Sequence, residues 1–261
     1  MMQVLFDHVD FMVVAKPACV TMHQSSTNSH NTAKLSSEDP TVVSPLPAIL
    51  PLLRASLAQQ TATKTLSISY DPATLHLVHR LDDHTSGCLI IAKHAIAAER
   101  FRILFTKHRV QKYYVALSDT KGKRKQGWVK GDMVNKRRGQ WALTKTMHHP
   151  AISYFFRQGL GNGLYLFWIK PFSGKTHQIR VALKSNSSTI LGDTHYGGTS
   201  AQRMYLHAYA LSFEYGSEAI NVTCPVVNME HAANAASLFD ESDISSMIVP
   251  SNLLERPWPT K

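Results

Sequence analysis

The feature that most constrains this chain is a polar nine-residue segment, His79-Arg80-Leu81-Asp82-Asp83-His84-Thr85-Ser86-Gly87, set between two apolar runs. Leu75-His76-Leu77-Val78 precedes it and Cys88-Leu89-Ile90-Ile91-Ala92 follows it. Two short apolar runs broken by a polar stretch read as strand, loop, strand. Such a loop holds an aspartate where a rigid scaffold can present it, with Arg80 nearby and small hydrogen-bonding residues just after. An isolated Arg-x-Asp is equally well a surface ion pair capping a turn, which is worth little. The rest of the chain has to choose between the two.

Composition narrows the choice of partner. Lysine and arginine outnumber aspartate and glutamate by 28 to 18, a formal charge of +10, which suits a polyanion: nucleic acid first, an anionic membrane surface second. With 44% hydrophobic and 18% charged residues the chain is globular rather than disordered, and its 261 residues bury a substantial core. Cys19, Cys88 and Cys224 are far apart, with no C-x-x-C, so neither a disulfide framework nor a zinc cluster is expected. Reduced thiols fit a cytoplasmic protein. The histidines are scattered, without H-E-x-x-H, and no metal is expected. The N-terminus lacks a basic region and a long apolar core, so it does not read as a signal peptide. The apolar run Leu164 to Ile169 falls far short of the ~20 residues of a membrane helix, and no membrane contact is expected.

Strand patterns run over Val9 to Ala15, Gln111 to Leu117, Gly127 to Val134, Trp141 to Met147, Ile152 to Phe156, Leu164 to Phe172, Met204 to Glu214 and Ile220 to Thr223. Helical spacing predicts helices over His94 to His108, with Ile96, the Arg100 stem, Phe101, Leu104 and Phe105 as the buried stripe, and over Thr176 to Ser185. Residues 24–70 form a Ser/Thr/Pro-rich insertion whose first half reads as loop and whose second half, around Leu50 to Gln60, as helix. Asn228 to Phe239 reads as a last helix, followed by a proline-containing tail. The strand-rich middle argues for one α+β catalytic domain over 1–227, with 228–261 as C-terminal helix and tail.

His-Arg-Leu-Asp followed by Thr-Ser-Gly resembles the catalytic loop of the RluA-type RNA pseudouridine synthases. Three further blocks extend the resemblance in order: Lys16-Pro17-Ala18-Cys19 through His23, with Cys19 where the family has glycine; Gln111-Lys112-Tyr113-Tyr114, similar to its Lys-x-Tyr strand; and Ser173-Gly174-Lys175-Thr176-His177-Gln178-Ile179-Arg180, similar to its Gly-Arg-Thr-His-Gln-Ile-Arg signature, with Lys175 in place of arginine. Leu191-Gly192-Asp193, Tyr196-Gly197 and Leu206-His207-Ala208 also follow the family's order and read as a turn and a core strand, with His207 a satisfied structural histidine. The resemblance covers roughly Asp10 to Pro225. It implies a pseudouridine synthase fold, a mixed, mostly antiparallel sheet flanked by helices around a central RNA-binding cleft.

The resemblance implies that Asp82 is the essential catalytic group, that Arg180 pairs with it, and that Tyr114 lies against the target base. A neighbouring guanidinium favours the carboxylate form, and an aromatic face stacks on an extruded base, worth ~1–3 kcal/mol. Tyr114 is otherwise a core residue of an amphipathic strand; Tyr113 points the opposite way. Arg80, Thr85, Lys112, Lys175 and His177 are candidate substrate-binding residues. Gly174 can turn the chain into a helix whose N-terminus favours an anion, with Thr176 as its cap, and His177 and Arg180 share a helical face. Lys121, Lys123, Arg124, Lys125, Lys130, Lys136, Arg137 and Arg138 cluster around one predicted hairpin near Trp128 and Trp141, either a solvated tip or an RNA surface, the second being the better fit.

The reading is therefore an RNA pseudouridine synthase isomerising a specific uridine of rRNA or tRNA after base extrusion, without cofactor or obligate protein partner. No additional RNA-binding domain is expected before Asp10. The alternatives are a non-catalytic RNA-binding or RNA-folding protein on the same scaffold, and a metal-dependent nucleic-acid hydrolase, which the lack of a ligand spacing disfavours.

Overall fold

The computed structural model describes residues 2–22, 46–62, 70–226 and 258–259. Its strands are β1 (Val4–Asp7), β2 (Phe11–Lys16), β3 (His76–Leu77), β4 (Ser86–Ala92), β5 (Gln111–Ser118), β6 (Gln126–Gly131), β7 (Met133–Asn135), β8 (Trp141–Leu143), β9 (Ala151–Gly161), β10 (Leu164–Pro171), β11 (Leu206–Tyr215) and β12 (Glu218–Thr223). The helices are α1 (Ile49–Ala62), α2 (Ala95–Thr106) and α3 (Gln178–Ser185). One sheet runs β1-β2-β4-β11-β5-β10-β9-β6, with β12 beside β11 and β3 beside β4, while β7 and β8 form a separate hairpin. All its pairings are antiparallel except β4 with β11. This is the α+β architecture expected from the sequence.

Strands β2 and β4 are buried along their whole length. Successive residues therefore serve opposite faces: Leu89 and Ile91 join a core with Ile49, Leu53, Leu57, Ile179 and Leu183 of α1 and α3, while Cys88, Ile90 and Ala92 join one with Ala97 and Phe101 of α2. Ile49, Leu53 and Leu57 recur every fourth residue and are fully buried, each such side chain contributing about 1.5–3 kcal/mol. The helix predicted within the insertion is thus present as α1. Residues 23–45, including His23, and the predicted helix over 228–239 lie outside the described residues.

Several local expectations are corrected. β1 precedes the predicted first strand and pairs with β2 across a bulge. In α2 Ala97 and Phe101 are buried and Leu104 and Phe105 pack against the same core, whereas Ile96 and Arg100 of the expected stripe are exposed. The stretch read as one strand from Gly127 to Val134 breaks at Asp132, whose carboxylate accepts the N–H groups of His148 and His149. β6 then pairs with β9 in the main sheet, whereas β7 turns away into the hairpin with β8. Lys121 to Lys125 lie before β6 in the main sheet, and Lys136 to Arg138 lie in the turn of the separate β7–β8 hairpin. Trp128 packs on Tyr154 and Phe172 rather than beside the hairpin tip.

Candidate active site

The loop between β3 and β4 is fastened from below by a buried charge. Lys16, at the end of β2, is fully buried, and its ammonium donates to the carbonyls of Asp83 and Thr85 at 2.9 Å each and of Asp82 at 3.4 Å. Burial pushes the Lys16 pKa down to about 8, against the pull of Asp83 nearby. The Thr85 N–H donates to the Asp82 carbonyl at 2.9 Å and the Val20 N–H to that of Asp83 at 3.2 Å. Cys19, one residue earlier, has φ 59°, a left-handed backbone that favours the glycine found there in the family. Beyond the loop Ser86 Oγ lies 2.8 Å from His207 Nδ1 and accepts from Arg203 Nη2 at 2.7 Å. His207 Nε2 lies 2.8 Å from the Cys224 carbonyl, so this residue is the satisfied structural histidine expected. Gly87 is required here: at φ 113° a Cβ would lie 2.2 Å from the Ala208 carbonyl oxygen, where β4 and β11 meet in parallel.

The loop opens into a cleft of about 690 Å³, which it shares with β5, the turn before α3 and the start of β11. Arg80, Asp82, Thr85, Lys112, Tyr114, Lys175 and His177 all line it, with Leu81, Ile179 and Leu206 supplying apolar wall. Arg180 Nη1 lies 3.6 Å from Asp82 Oδ2. The strongest bonds of this arginine go elsewhere: Nε and Nη2 donate to the two oxygens of Asp193 at 2.8 and 2.7 Å, and both side chains are buried. Burial opposes the charge of Arg180, but Asp193, and then Asp82, outweigh it and raise its pKa. The expected pairing with Asp82 exists as a longer contact made by a guanidinium already oriented in a two-bond fork.

Tyr114 faces the cleft and packs with the core that contains Ile179 and Leu206. Burial and then the Asp82 carboxylate raise its pKa, so it is a neutral phenol. Tyr113 faces the other side, with Val115, Trp168 and Trp258, and donates to Gln111 Oε1 at 2.8 Å. Lys112 Nζ donates to the Ser173 carbonyl at 3.2 Å, and burial pushes its pKa down to about 8. The Thr85 hydroxyl is buried in the cleft wall with no hydrogen-bond partner among the described residues. His79 is neutral: its Nε2 accepts from the Ile90 N–H at 2.9 Å, and burial drives its pKa to about 3.

The turn before α3 departs from expectation. Thr176 does not cap the helix; His177 occupies that position with φ 55°, a left-handed conformation that costs a non-glycine residue roughly 1–3 kcal/mol. His177 is therefore not on a helical face with Arg180. Gln178 closes the turn instead, accepting from Ser173 Oγ at 2.8 Å and the Lys175 N–H at 3.0 Å. Arg80 and Lys175 stand exposed on the rim. Lys136, Arg137 and Arg138 are exposed at the tip of the β7–β8 hairpin and do not line the cleft. The hairpin reaches the site through the end of this turn, where Gln140 Nε2 donates to the His195 carbonyl at 2.5 Å and the Trp141 N–H to Tyr196 Oη at 2.9 Å.

Sequence reasoning assigned no role to Lys16, Asp193 or Tyr196. Each sits in a block whose order was visible, but nothing local marks a lysine as the anchor of a distant loop. Among the described residues no group of histidine, cysteine, aspartate and glutamate is arranged to hold a metal ion, and no helix is long and apolar enough to cross a membrane.

A carboxylate under an arginine, beside a buried tyrosine and a basic rim, is an arrangement for acid–base or nucleophilic work on a polyanion. Comparison with known proteins specifies the chemistry. The family model described as RNA pseudouridylate synthase matches residues 10–185. An uncharacterized RNA pseudouridine synthase of Haemophilus influenzae is 37% identical over 224 residues, 85% of this chain and 86% of that protein. The ribosomal large subunit pseudouridine synthase C of Rickettsia typhi is 32% identical over 170 residues, 59% of this chain and 56% of the relative. Among solved structures, human RNA pseudouridylate synthase domain containing 1 has the same fold, with a TM-score of 0.61 at 19% identity over 95% of each chain. The chain belongs to the RNA pseudouridylate synthase family, within its RluA-type branch, and is an RNA pseudouridine synthase, an isomerase.

Proposed function

We propose that this enzyme isomerises a specific uridine of ribosomal or transfer RNA, drawing the base out of its stack into the cleft and using Asp82 as the essential carboxylate. The observation that carries this reading is that Asp82 faces the cleft 3.6 Å from a buried arginine, on a loop pinned by Lys16. A ribosomal target is favoured by the name of the Rickettsia relative.

The reaction breaks the N1–C1′ bond, turns the uracil and forms C5–C1′, with a proton lost from C5 and one gained at N1. It is redox-neutral and balances without a co-reactant. Asp82 takes part in cleaving the glycosidic bond, as nucleophile or as base. Arg180 orients that carboxylate and Tyr114 receives the extruded base against its ring. Thr85, whose buried hydroxyl has no partner among the described residues, binds the nucleotide. Arg80, Lys112, Lys175 and His177 bind it from the remaining walls and rim, and Lys136, Arg137 and Arg138 bind RNA backbone farther out. A lysine at position 175 keeps the charge of the family's arginine but not its bidentate geometry. The catalytic unit is assigned to residues 1–227, in keeping with a sheet that spans 4–223.

The test is pseudouridine mapping of ribosomal and transfer RNA from cells with and without the gene. A uridine left unmodified on deletion and restored by the wild-type gene identifies the substrate. Purified protein inert on every cellular RNA refutes the reading.

A further inference from the structure

Tyr196 is buried at the junction of the basic hairpin and the cleft, and its contacts connect the two. Its ring lies 4.7 Å from the Arg180 guanidinium carbon. Its oxygen accepts the Trp141 N–H at 2.9 Å, from the first residue of β8, and lies 2.8 Å from His177 Nδ1. A phenol has one proton to give. With the Trp141 N–H occupying one lone pair, every group is satisfied only if the Tyr196 O–H donates to Nδ1, which leaves the His177 proton on Nε2. That nitrogen has no hydrogen-bond partner among the described residues, and the ring lines the same cleft as Asp82. Desolvation first, and then Arg180 and His195 against the opposite pull of Asp82, lower the pKa of His177, in keeping with a neutral ring. The left-handed backbone of His177 is a second sign that the ring is held in place at a cost.

We propose that Tyr196 is a positioning residue that links the seating of the basic hairpin to the cleft, fixing His177 as a neutral Nε2–H donor toward the bound nucleotide while its ring steadies Arg180. Lys136, Arg137 and Arg138 stand in the turn of the hairpin, and Trp141, paired with Asn135, closes that same turn, so an RNA that orders the tip also orders the donor that sets His177. The proposal rests on the reading of the cleft as the uridine site.

Tyr196→Phe keeps the ring over Arg180 and removes only the oxygen. In nitrogen-15 spectra of the free protein, His177 of the wild type shows an acceptor Nδ1 and a protonated Nε2; the variant is expected to show a mixture of tautomers. Its kcat on RNA is expected to fall about tenfold, the loss of one hydrogen bond's worth of positioning, with KM changed less than twofold. Gln140→Ala, which loosens the hold of the hairpin turn on the His195 carbonyl without touching the phenol, should give a smaller change in the same direction, and adding it to Tyr196→Phe should cost nothing more. An unchanged His177 spectrum in Tyr196→Phe overturns the relay. A changed spectrum with unchanged kcat, or fully additive losses in the double variant, overturns the positioning role. Wild-type protein that modifies no RNA refutes the functional reading, while the His177 spectrum still decides the relay.

Discussion

Arg180 and Asp193 form a buried fork of two hydrogen bonds at 2.7 and 2.8 Å, and that fork aims the third guanidinium nitrogen at Asp82. Asp193 in turn is set by Gly192, where at φ 81° a Cβ would lie within 1.8 Å of the Arg203 carbonyl oxygen. The carboxylate in the cleft is thus oriented by an arginine that has its own dedicated counter-ion. Asp82 is left partly exposed and available to substrate.

Asp193→Asn keeps the shape of the fork and removes its charge. It leaves the Arg180 guanidinium buried without its main partner, a loss of about 3–5 kcal/mol for a broken buried pair. Chemical denaturation should show most of this loss, and activity under conditions where the variant remains folded should fall at least tenfold. Full activity in a folded Asp193→Asn protein would show that Asp82 needs no oriented arginine.

Lys16 predicts a pH limit. Its folded pKa of about 8 lies below the ordinary lysine value of 10.5, so between these values the folded state binds fewer protons than the unfolded chain. Stability contributed by this group therefore rises with pH across that window, while the ammonium that grips the Asp82 loop is lost as pH passes 8. Activity should decline from pH 7 to 9 with no matching fall in melting temperature from this group. Lys112 titrates in the same range, so the decline should be compared in Lys112→Met. A decline that disappears in Lys112→Met assigns the limit to that lysine instead.

Tyr113 and Tyr114 are neighbours on β5 that serve opposite faces of the sheet. Replacing Tyr114 by phenylalanine should lower turnover, and by alanine should also weaken RNA binding by the ~1–3 kcal/mol of a stacked base. Tyr113→Phe loses a bond to Gln111 and should cost stability only. Equal kinetic effects at both positions would contradict the assignment of the cleft face.

Neutralising Lys136, Arg137 and Arg138 together removes exposed charge without disturbing the core. If each meets a phosphate, the slope of log affinity against log salt should flatten by about 2–3. Binding titrations at several salt concentrations measure it. An unchanged slope moves the backbone contact to Arg80 and Lys175 on the cleft rim.

The sequence marked the residues around the cleft better than the forces that hold them. The Asp82 loop, Tyr114 and the turn before Arg180 were legible because each combines an unusual local run of residue types with a strand or helix period. The Lys16 anchor was not, since its donors reach carbonyls that any loop possesses. Asp193 reads as part of a turn because its partner, Arg180, is brought to it only by tertiary packing. β1 has four residues and too little alternation to register as a strand. Asp132 breaks the predicted strand at a point where hydrophobicity shows no change, because its reason for bending lies in the N–H groups of His148 and His149.

The central claim is that Asp82 carries the reaction. The most direct measurement is pseudouridine formation by purified wild-type and Asp82→Asn proteins on the RNA identified by mapping, with binding measured in parallel. The account predicts that Asp82→Asn folds and binds that RNA with affinity close to wild type yet forms no detectable pseudouridine. Turnover by Asp82→Asn comparable to wild type would contradict it.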